Sequence, residues 1–413
     1  MYGCGGSVSR LSTEETASRL GVKRETVYAY VSRGILSRQK AVDGKASTFD
    51  EFEVDRLRRQ RATSHPGRLE APVTTAITNV GDGFIAYRGR PLTELADAET
   101  SYEQVAALLW NVDQNLPWFA PDSMTDAVRE ALQLLPPTAT LIDRLLAATL
   151  MASTHDPFRD DRSSISAATS MQHLVAATTD ALPLLRQAKF AHNATIAERL
   201  WPRLTTAART NSWILDRTLM LMADHGMASS TLAARIAAST RAGPHAAVIA
   251  GLGVLNGPLH GAASKSVHQL LQQAEVAGPD AALAEALRTN GRLRGIGHFI
   301  HRTSDPRFTI MMASIEKSTL NRRRVRIVDE VVQMTTDRIS APHNIDFSLG
   351  CLTYAAGMEP DAGELIFALA RVVGWVAHVL EEYEEAPLRF RPVGRYESSR
   401  PRPAPELLGD VAT

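Results

Sequence analysis

Cysteine is nearly absent from this chain. Cys4 and Cys351 are the only two in 413 residues. That excludes a disulfide scaffold and any metal site built on several thiolates, and it fits a reducing cytoplasm. Net charge is absent too, since 45 Lys or Arg meet 45 Asp or Glu. No global field draws the whole chain to nucleic acid or membrane, so such a role must be local. No apolar run approaches the roughly 18–20 residues of a membrane span. The longest, Ala246–Leu255, is half that and carries glycines. Met1 to Arg10 lack the apolar core of a signal peptide. There is no repeat of fixed period, and no low-complexity tract before the Pro/Arg-rich stretch Ser398–Pro405. What remains is a length that suits two or three domains with a large core.

Residues 1–62 read as a separate module. Ser12 or Thr13 can cap a helix whose first turn holds Glu14 and Glu15. Ala17 and Leu20 are spaced to face inward, and Gly21-Val22 makes a turn. A second helix follows from about Arg24 to Arg33 and ends at Gly34, with Val27, Tyr30 and Val31 as its packing face. Ile35 and Leu36 close the small core. A loop through Asp43-Gly44-Lys45 leads to a helix rich in Arg56, Arg58, Arg59 and Arg61. The helix–Gly–helix arrangement is a helix-turn-helix pattern. The module holds 12 Lys or Arg against 8 Asp or Glu, a surplus of +4 that the rest of the chain offsets with −4. It resembles MerR-like and excisionase-type winged helix-turn-helix domains in Leu11–Glu15, Leu20-Gly21-Val22 and Ser32–Leu36. By that resemblance Lys23, Arg24, Thr26 and Tyr28 would lie near a DNA major groove and its phosphates. The alternative is a docking or assembly module that kept the fold and lost DNA, because +4 is modest for phosphate neutralisation.

Thr63–Glu70 reads as a linker. Thr75–Arg88 alternates around Gly81-Asp82-Gly83, which signals a hairpin. From Pro91 onward the pattern is helical, with apolar residues at three- and four-residue spacing such as Val105, Leu108 and Leu109. Pro136-Pro137, Pro183, Pro202 and Pro244 punctuate it. The expected fold class is mainly α, with one small hairpin.

The most informative stretch is Gly295–Phe308, Gly-Ile-Gly-His-Phe-Ile-His-Arg-Thr-Ser-Asp-Pro-Arg-Phe. Glycines let the backbone approach a ligand closely. An imidazole (His298) and two guanidiniums (Arg302, Arg307) then suit an acidic substrate that needs a proton moved. A solvated basic loop is the alternative. Trp213–Thr240 is helical but breaks at Asp224-His225-Gly226, which marks His225 as a ligand-binder or a buried, backbone-bonded histidine. Gly251-Leu-Gly253 with Gly257 hints at a dinucleotide loop, but no strand precedes it in a βαβ context. In Gly257-Pro-Leu-His260-Gly261 a histidine stands at the start of a helical run, Ala262–Leu271. A helix N-terminus disfavours imidazolium and keeps a neutral donor. Asp346, in Asn344-Ile-Asp-Phe347, is either functional or an N-cap. Arg371 sits in the apolar helical run Phe367–Leu380, where a cation needs a partner.

Over roughly residues 70–400 these stretches together resemble citrate synthase. The motifs are Asp224-His225, Gly257–Gly261, Gly295-Ile-Gly-His298 with Asp305-Pro-Arg307, Asn344–Phe347, and Gly374-Trp375 leading to Arg391-Pro392 and Arg395-Tyr396. The resemblance implies a nearly all-α homodimer that joins an acyl-CoA to oxaloacetate. It implies a large domain over 71–260 and 355–400, a small mobile domain over 261–354, and a tail over 401–413. It casts Asp346 as the base on the acetyl methyl group and His260 as the donor to the enolate oxygen. His298 becomes the donor to the oxaloacetate carbonyl. Arg307, Arg371 and Arg391 would clamp the carboxylates with His225 assisting, Arg391 arriving from the other subunit. Arg302 would contact CoA phosphate. No metal and no organic cofactor is expected. Three readings stay open: citrate from acetyl-CoA, 2-methylcitrate from propionyl-CoA, and a metabolite-sensing DNA binder on the same scaffold. The chain departs from the family's usual pattern after His225 (Gly226-Met227-Ala228), after Gly261 (Ala262–Lys265) and after His298. At that last place the family often has Arg-Val-Tyr, and here stand Phe299-Ile300-His301.

Overall fold

The computed structural model describes residues 10–32, 35–40, 47–51, 53–55, 57, 72–113, 118–257 and 263–392. The chain forms two compact units, Met1–Thr74 and Thr75–Thr413.

The first unit runs β1 (Arg10–Ser12), α1 (Thr13–Leu20), α2 (Arg24–Ser32), β2 (Arg38–Lys40) and β3 (Ser47–Asp50). The strands form one antiparallel sheet in the order β1-β3-β2. Ser12 and Glu15 make a capping box that satisfies two free amides at the start of α1. Gly21 ends α1 at φ +62, a left-handed turn that glycine adopts without strain. Val27 and Phe49 are fully buried, packed with Ala17, Leu20 and Leu36. Tyr30 and Val31 are only partly buried. Ile35 does not join the core as expected: it is 40% exposed while Leu36 turns inward. Arg19 forks onto Asp55 at 2.8 and 2.9 Å, tying α1 to the segment after β3. Arg56, Arg58, Arg59 and Arg61, expected on that helix, lie outside the described residues, as does the linker Thr63–Glu70.

The second unit opens on the expected hairpin, extended by a short third strand. Strands β4 (Thr78–Gly81), β5 (Phe84–Tyr87) and β6 (Arg90–Pro91) form one antiparallel sheet. The rest of the described chain is helical. In order come α3 (Leu92–Asp97), α4 (Tyr102–Trp110), α5 (Asp122–Gln133), α6 (Leu141–Thr154), α7 (Ser164–Ala181) and α8 (Ile196–Leu204). Then come α9 (Ser212–Met222), α10 (Ser229–Ser239), α11 (Pro244–Leu255), α12 (Ala263–Ala277), α13 (Pro279–Asn290), α14 (Pro306–Lys317), α15 (Arg322–Arg338), α16 (Ile345–Ala356) and α17 (Ala362–Tyr383). Capping boxes at Ser101/Gln104, Thr140/Asp143 and Thr195/Glu198 start α4, α6 and α8 where the sequence places a hydroxyl three residues before a carboxylate or amide side chain.

Helix α17 is the axis of this unit. It is apolar nearly all round, which demands burial on every side. Helices α4, α6, α7, α9, α10 and α11 pack against it. It is also long and apolar enough to cross a membrane, contrary to the expectation that no run comes close, but 89% of its apolar window is buried within the protein. Core packing against its neighbours accounts for that composition. Two glycines permit the closest approaches. A Cβ at Gly251 on α11 would lie 2.9 Å from the Trp375 ring. A Cβ at Gly374 would lie 2.3 Å from Asp224 Oδ1 and 2.4 Å from the Ala223 carbonyl. Both glycines of Gly251-Leu-Gly253 lie within α11, Gly251 packed on Trp375 and Gly253 exposed, so they form no phosphate loop. The break read at Asp224-His225-Gly226 parts two helices, α9 and α10, with residues 223–228 between them and Gly226 at φ +62.

Candidate active site

Two segments distant in sequence are laced together by backbone. Gly295 and Gly297 both take positive φ, +78 and +79. Their carbonyls and amides meet residues 342–344: Asn344 N–H donates to Gly295 O at 3.0 Å, and Gly297 N–H donates to Pro342 O at 2.8 Å. The Asn344 amide donates to Gly297 O at 3.0 Å. A Cβ at Gly295 would press on Phe347 at 3.0 Å, so only glycine lets this segment lie so close to the first turn of α16. This lacing sets His298 beside the start of α16, where Asp346 stands.

Asp346 is not the cap of α16. Asn344 holds that position and accepts from the amides of Asp346 at 3.0 Å and Phe347 at 3.4 Å. The Asp346 carboxyl is therefore released from a structural task. Burial pushes it up to about 6, while Arg307 and Arg371 pull the other way and Asp305 adds to the rise. The helix N-terminus favours the anion by about 0.3–1 kcal/mol, less than one pH unit, so burial wins.

His298 has its tautomer decided by backbone. Its Nδ1 accepts from Ile300 N–H at 3.0 Å and His301 N–H at 3.1 Å. The ring proton must then sit on Nε2. Burial first, and then Arg307, lower its pKa to about 4, so the ring is a neutral Nε2–H donor. The loop that follows is pinned by Asp82 of the hairpin, whose Oδ1 accepts from Arg302 N–H at 2.8 Å, Thr303 N–H at 2.9 Å and the Thr303 hydroxyl at 2.9 Å. Arg302 itself is exposed.

Asp305 joins loop, α14 and α16. It caps α14, forks onto Arg307 (Nε to Oδ1 2.9 Å, Nη2 to Oδ2 2.8 Å) and accepts Ile345 N–H at 3.1 Å. Arg307 is 2% exposed, and no described residue bonds its Nη1. Arg371 is equally buried; its Nε donates to Met222 O at 3.0 Å and its guanidinium lies 4.8 Å from the Phe367 ring centre. Two buried guanidiniums with unused edges form an anion site. Behind them, burial would raise Asp224, but His378 and Arg371 overcome it and hold the carboxylate at about 2. The Tyr87 hydroxyl accepts Asp224 N–H at 3.2 Å and lies 3.1–3.3 Å from the carbonyls of Met220, Leu221 and Asp224, fixing the break that presents His225.

His225 is buried, and its Nε2 faces His301 Nε2 at 3.1 Å. Burial first, then Arg307 and Arg371, push His225 well below the ordinary histidine value. The ring centres of His225, His298 and His301 lie 4.9–5.2 Å apart, and their ligand atoms fall within 4.8 Å of one another. The trio is nevertheless a poor metal set. His298 Nδ1 is occupied by two N–H donors, so its Nε2 has no free lone pair, and two guanidiniums oppose a cation.

Of the expected site residues, His225, His298, Arg307, Asp346 and Arg371 stand together. His260 lies outside the described residues, with its whole segment 258–262. Arg391 is exposed in the C-terminal segment, and Arg395 and Tyr396 lie outside the description. Sequence reasoning missed three supports: Asp82, Asp305 as the partner of Arg307, and His301. The Asp82 signal was the hairpin turn itself, whose acidic tip was read only as turn chemistry. A cavity of about 1060 Å³ lined by Arg129, Arg144 and Arg203 contains none of these groups.

Known proteins resemble this chain over most of its length. The family described as Citrate synthase, C-terminal domain, matches residues 70–393. A 2-methylcitrate synthase of Mycobacterium tuberculosis is 27% identical over 347 residues, 78% of this chain and 87% of that protein. A citrate synthase of Acidithiobacillus ferridurans is 29% identical over 370 residues, 80% and 94% of the two chains. Among solved structures, citrate synthase of Thermoplasma acidophilum in ternary complex with carboxymethyl coenzyme A and oxaloacetate superposes with a TM-score of 0.64 at 23% identity, over 80% of this chain and 95% of that one. With a family match spanning most of its length and a mainly helical fold shared with these enzymes, the chain belongs to the citrate synthase family.

Proposed function

We propose that this protein condenses acetyl-CoA with oxaloacetate and water to give citrate and CoA. The observation that carries the reading is the convergence on Arg307 of Asp346, raised to about 6, and His298, held as a neutral Nε2–H donor, with Arg371 also acting on Asp346. A carboxylate with that pKa is mostly ionised near neutral pH yet basic enough to accept a proton in a transition state. Asp346 removes a proton from the acetyl methyl group. By family likeness, His260 donates to the enolate oxygen. The enol carbon attacks the oxaloacetate carbonyl while His298 Nε2–H donates to its oxygen. Arg307 and Arg371 hold the carboxylates, and Arg391 joins them from a second subunit in a homodimer. Closure of residues 261–354 on 71–260 and 355–400 excludes water until the new bond exists. Hydrolysis of the thioester then drives the reaction forward. Arg302, exposed beside the pinned loop, meets CoA phosphate, and no metal or organic cofactor is needed. Purified protein is expected to release CoA thiol only when acyl-CoA and oxaloacetate are both present. Release from acetyl-CoA alone, or none with both, refutes the reading.

The similarity to a 2-methylcitrate synthase favours propionyl-CoA as a second acyl donor. One methylene is worth about 1–3 kcal/mol of discrimination. Acetyl-CoA and propionyl-CoA in competition, with products separated by mass, decide between them; a propionyl preference beyond tenfold would replace the acetyl assignment.

The first unit supports a winged helix-turn-helix role in binding DNA. Its α1, Gly21 turn, α2 and three-stranded sheet match that plan. Lys23, Arg24 and Tyr28 are exposed at the start of α2, with Thr26 beside them. Arg24 pairs with Glu14 at 2.9 Å, an exposed contact that a phosphate can replace. Binding to DNA upstream of its own gene is expected at low salt and should weaken as salt rises, and Lys23→Ala/Arg24→Ala should weaken it further. No mobility shift with any genomic fragment at low salt would leave the unit an assembly module.

A further inference from the structure

One contact in the site is unused by the condensation chemistry. His301 is fully buried, and its Nε2 lies 3.1 Å from His225 Nε2. At that distance one nitrogen carries the hydrogen and the other offers its lone pair. Two N–H groups would repel, and two lone pairs would both be left unsatisfied. His301 Nδ1 is buried with no hydrogen-bond partner among the described residues. The Gly81 carbonyl nevertheless faces the ring and favours a proton on it. With that proton on Nδ1, His225 donates through Nε2 and His301 accepts.

A ligand carboxylate between Arg307 and Arg371 needs the same His225 donor. One N–H cannot serve both partners well. When it turns to the carboxylate, the His301 Nε2 lone pair is left buried and unsatisfied, which carries a desolvation cost. The surrounding charge says how that is relieved. Arg307, Arg371 and His298 face His225. Asp305, Arg307 and Asp82 face His301. Burial and Arg307 hold both rings neutral, with Arg371 adding to the effect at His225. A dicarboxylate adds two negative charges, and Asp305 and Asp82 already stand on the His301 side.

We infer that His301 takes up one proton from solvent when a dicarboxylic keto acid binds beside His225, so that the imidazole pair is cationic in the complex. The only bond made is N–H at His301 Nε2, formed by its lone pair, with the His225 N–H turned to the carboxylate so that the two N–H groups do not oppose each other. The inference rests on the oxaloacetate assignment above. It makes His301 a positioning residue that acts through His225.

Titration calorimetry of the intact protein with oxaloacetate tests it, run at one neutral pH in phosphate and in Tris. These buffers differ in ionisation enthalpy, so the difference in observed heat reports protons exchanged. Uptake of half a proton or more is expected, with the apparent Kd rising up to tenfold per pH unit toward alkaline pH. Asp346 could take up a proton by the same field, so two variants separate the sources. His301→Gln keeps donor and acceptor atoms but does not titrate, and it should bind without buffer-dependent heat. Asp346→Asn should keep the uptake. Binding with buffer-independent heat in the unaltered protein overturns the inference. So does uptake that survives His301→Gln and vanishes in Asp346→Asn. No heat of binding in any buffer instead defeats the oxaloacetate assignment.

Discussion

Asp346→Asn is expected to yield a protein that is more stable and nearly inactive. The carboxyl has been moved from its ordinary value of 3.8 to about 6, chiefly by burial. A shift of about two units corresponds to about 3 kcal/mol between the protonation states. The sign follows from proton counting. Between 3.8 and about 6 the folded protein holds the proton and the unfolded chain does not, so stability falls as pH rises through that window. Above it the cost of the buried carboxylate is fully present. Asparagine removes that cost while keeping the shape. Asp346 retains some exposure, so a gain of about 1–3 kcal/mol at pH 8, vanishing below pH 4, is the expected result in denaturant titrations. Activity should fall at least about 10³-fold, because proton removal from carbon then lacks its base. In the unaltered protein, kcat/KM should decline as pH falls through about 6. An active Asp346→Asn enzyme, or one less stable than the parent at pH 8, would show that Asp346 is a structural residue.

Arg307→Leu is expected to be the most damaging single change to the fold among the site residues. Its guanidinium is 2% exposed and forks onto Asp305, which is also buried. Removing one member of a buried pair typically costs about 3–5 kcal/mol, because the other charge is left uncompensated. Asp305 also caps α14 and accepts Ile345 N–H, so its distress passes directly to the start of α16 and to Asp346. Burial tends to raise the Asp305 carboxyl, and Arg307 overcomes that and holds it below its ordinary value. Without the arginine, Asp305 should rise, so the variant's stability deficit should shrink as pH falls and the carboxyl becomes neutral. A double-mutant cycle with Asp305→Asn gives the coupling. Additive losses with no pH dependence would mean the pair is not the element that organises the loop. Oxaloacetate binding should be lost in Arg307→Leu even where folding is restored by low temperature.

Much of the site was legible before any coordinates. Gly295-Ile-Gly-His298, Asp305-Pro-Arg307 and Asn344–Phe347 are short, and each packs its meaning into residue types with few structural uses. Positive φ needs glycine, and an anion site needs guanidinium. Helix starts were legible for the same reason, since a hydroxyl three residues before an acid or glutamine is a local signal that Ser12, Ser101, Thr140 and Thr195 all carry. Local chemistry likewise located the break at Asp224–Gly226 that parts α9 from α10.

Other features were decided only by packing. That Asn344 and not Asp346 caps α16 depends on which side chain the backbone aims at its own amides. That α17 is a buried axis and not a candidate span depends on neighbours far away in sequence. Asp82, more than two hundred residues from the loop it pins, could not be read from either stretch alone. The His225–His301 contact is of the same kind: two ordinary histidines become one coupled pair only because the hairpin, the α9–α10 break and the loop after Gly297 converge. The chain by itself determined which groups are present and where the backbone must turn, because those are local properties of residue type. Only tertiary structure decided their protonation states and partners, because burial and Coulomb interaction depend on distance in space and not on separation along the chain.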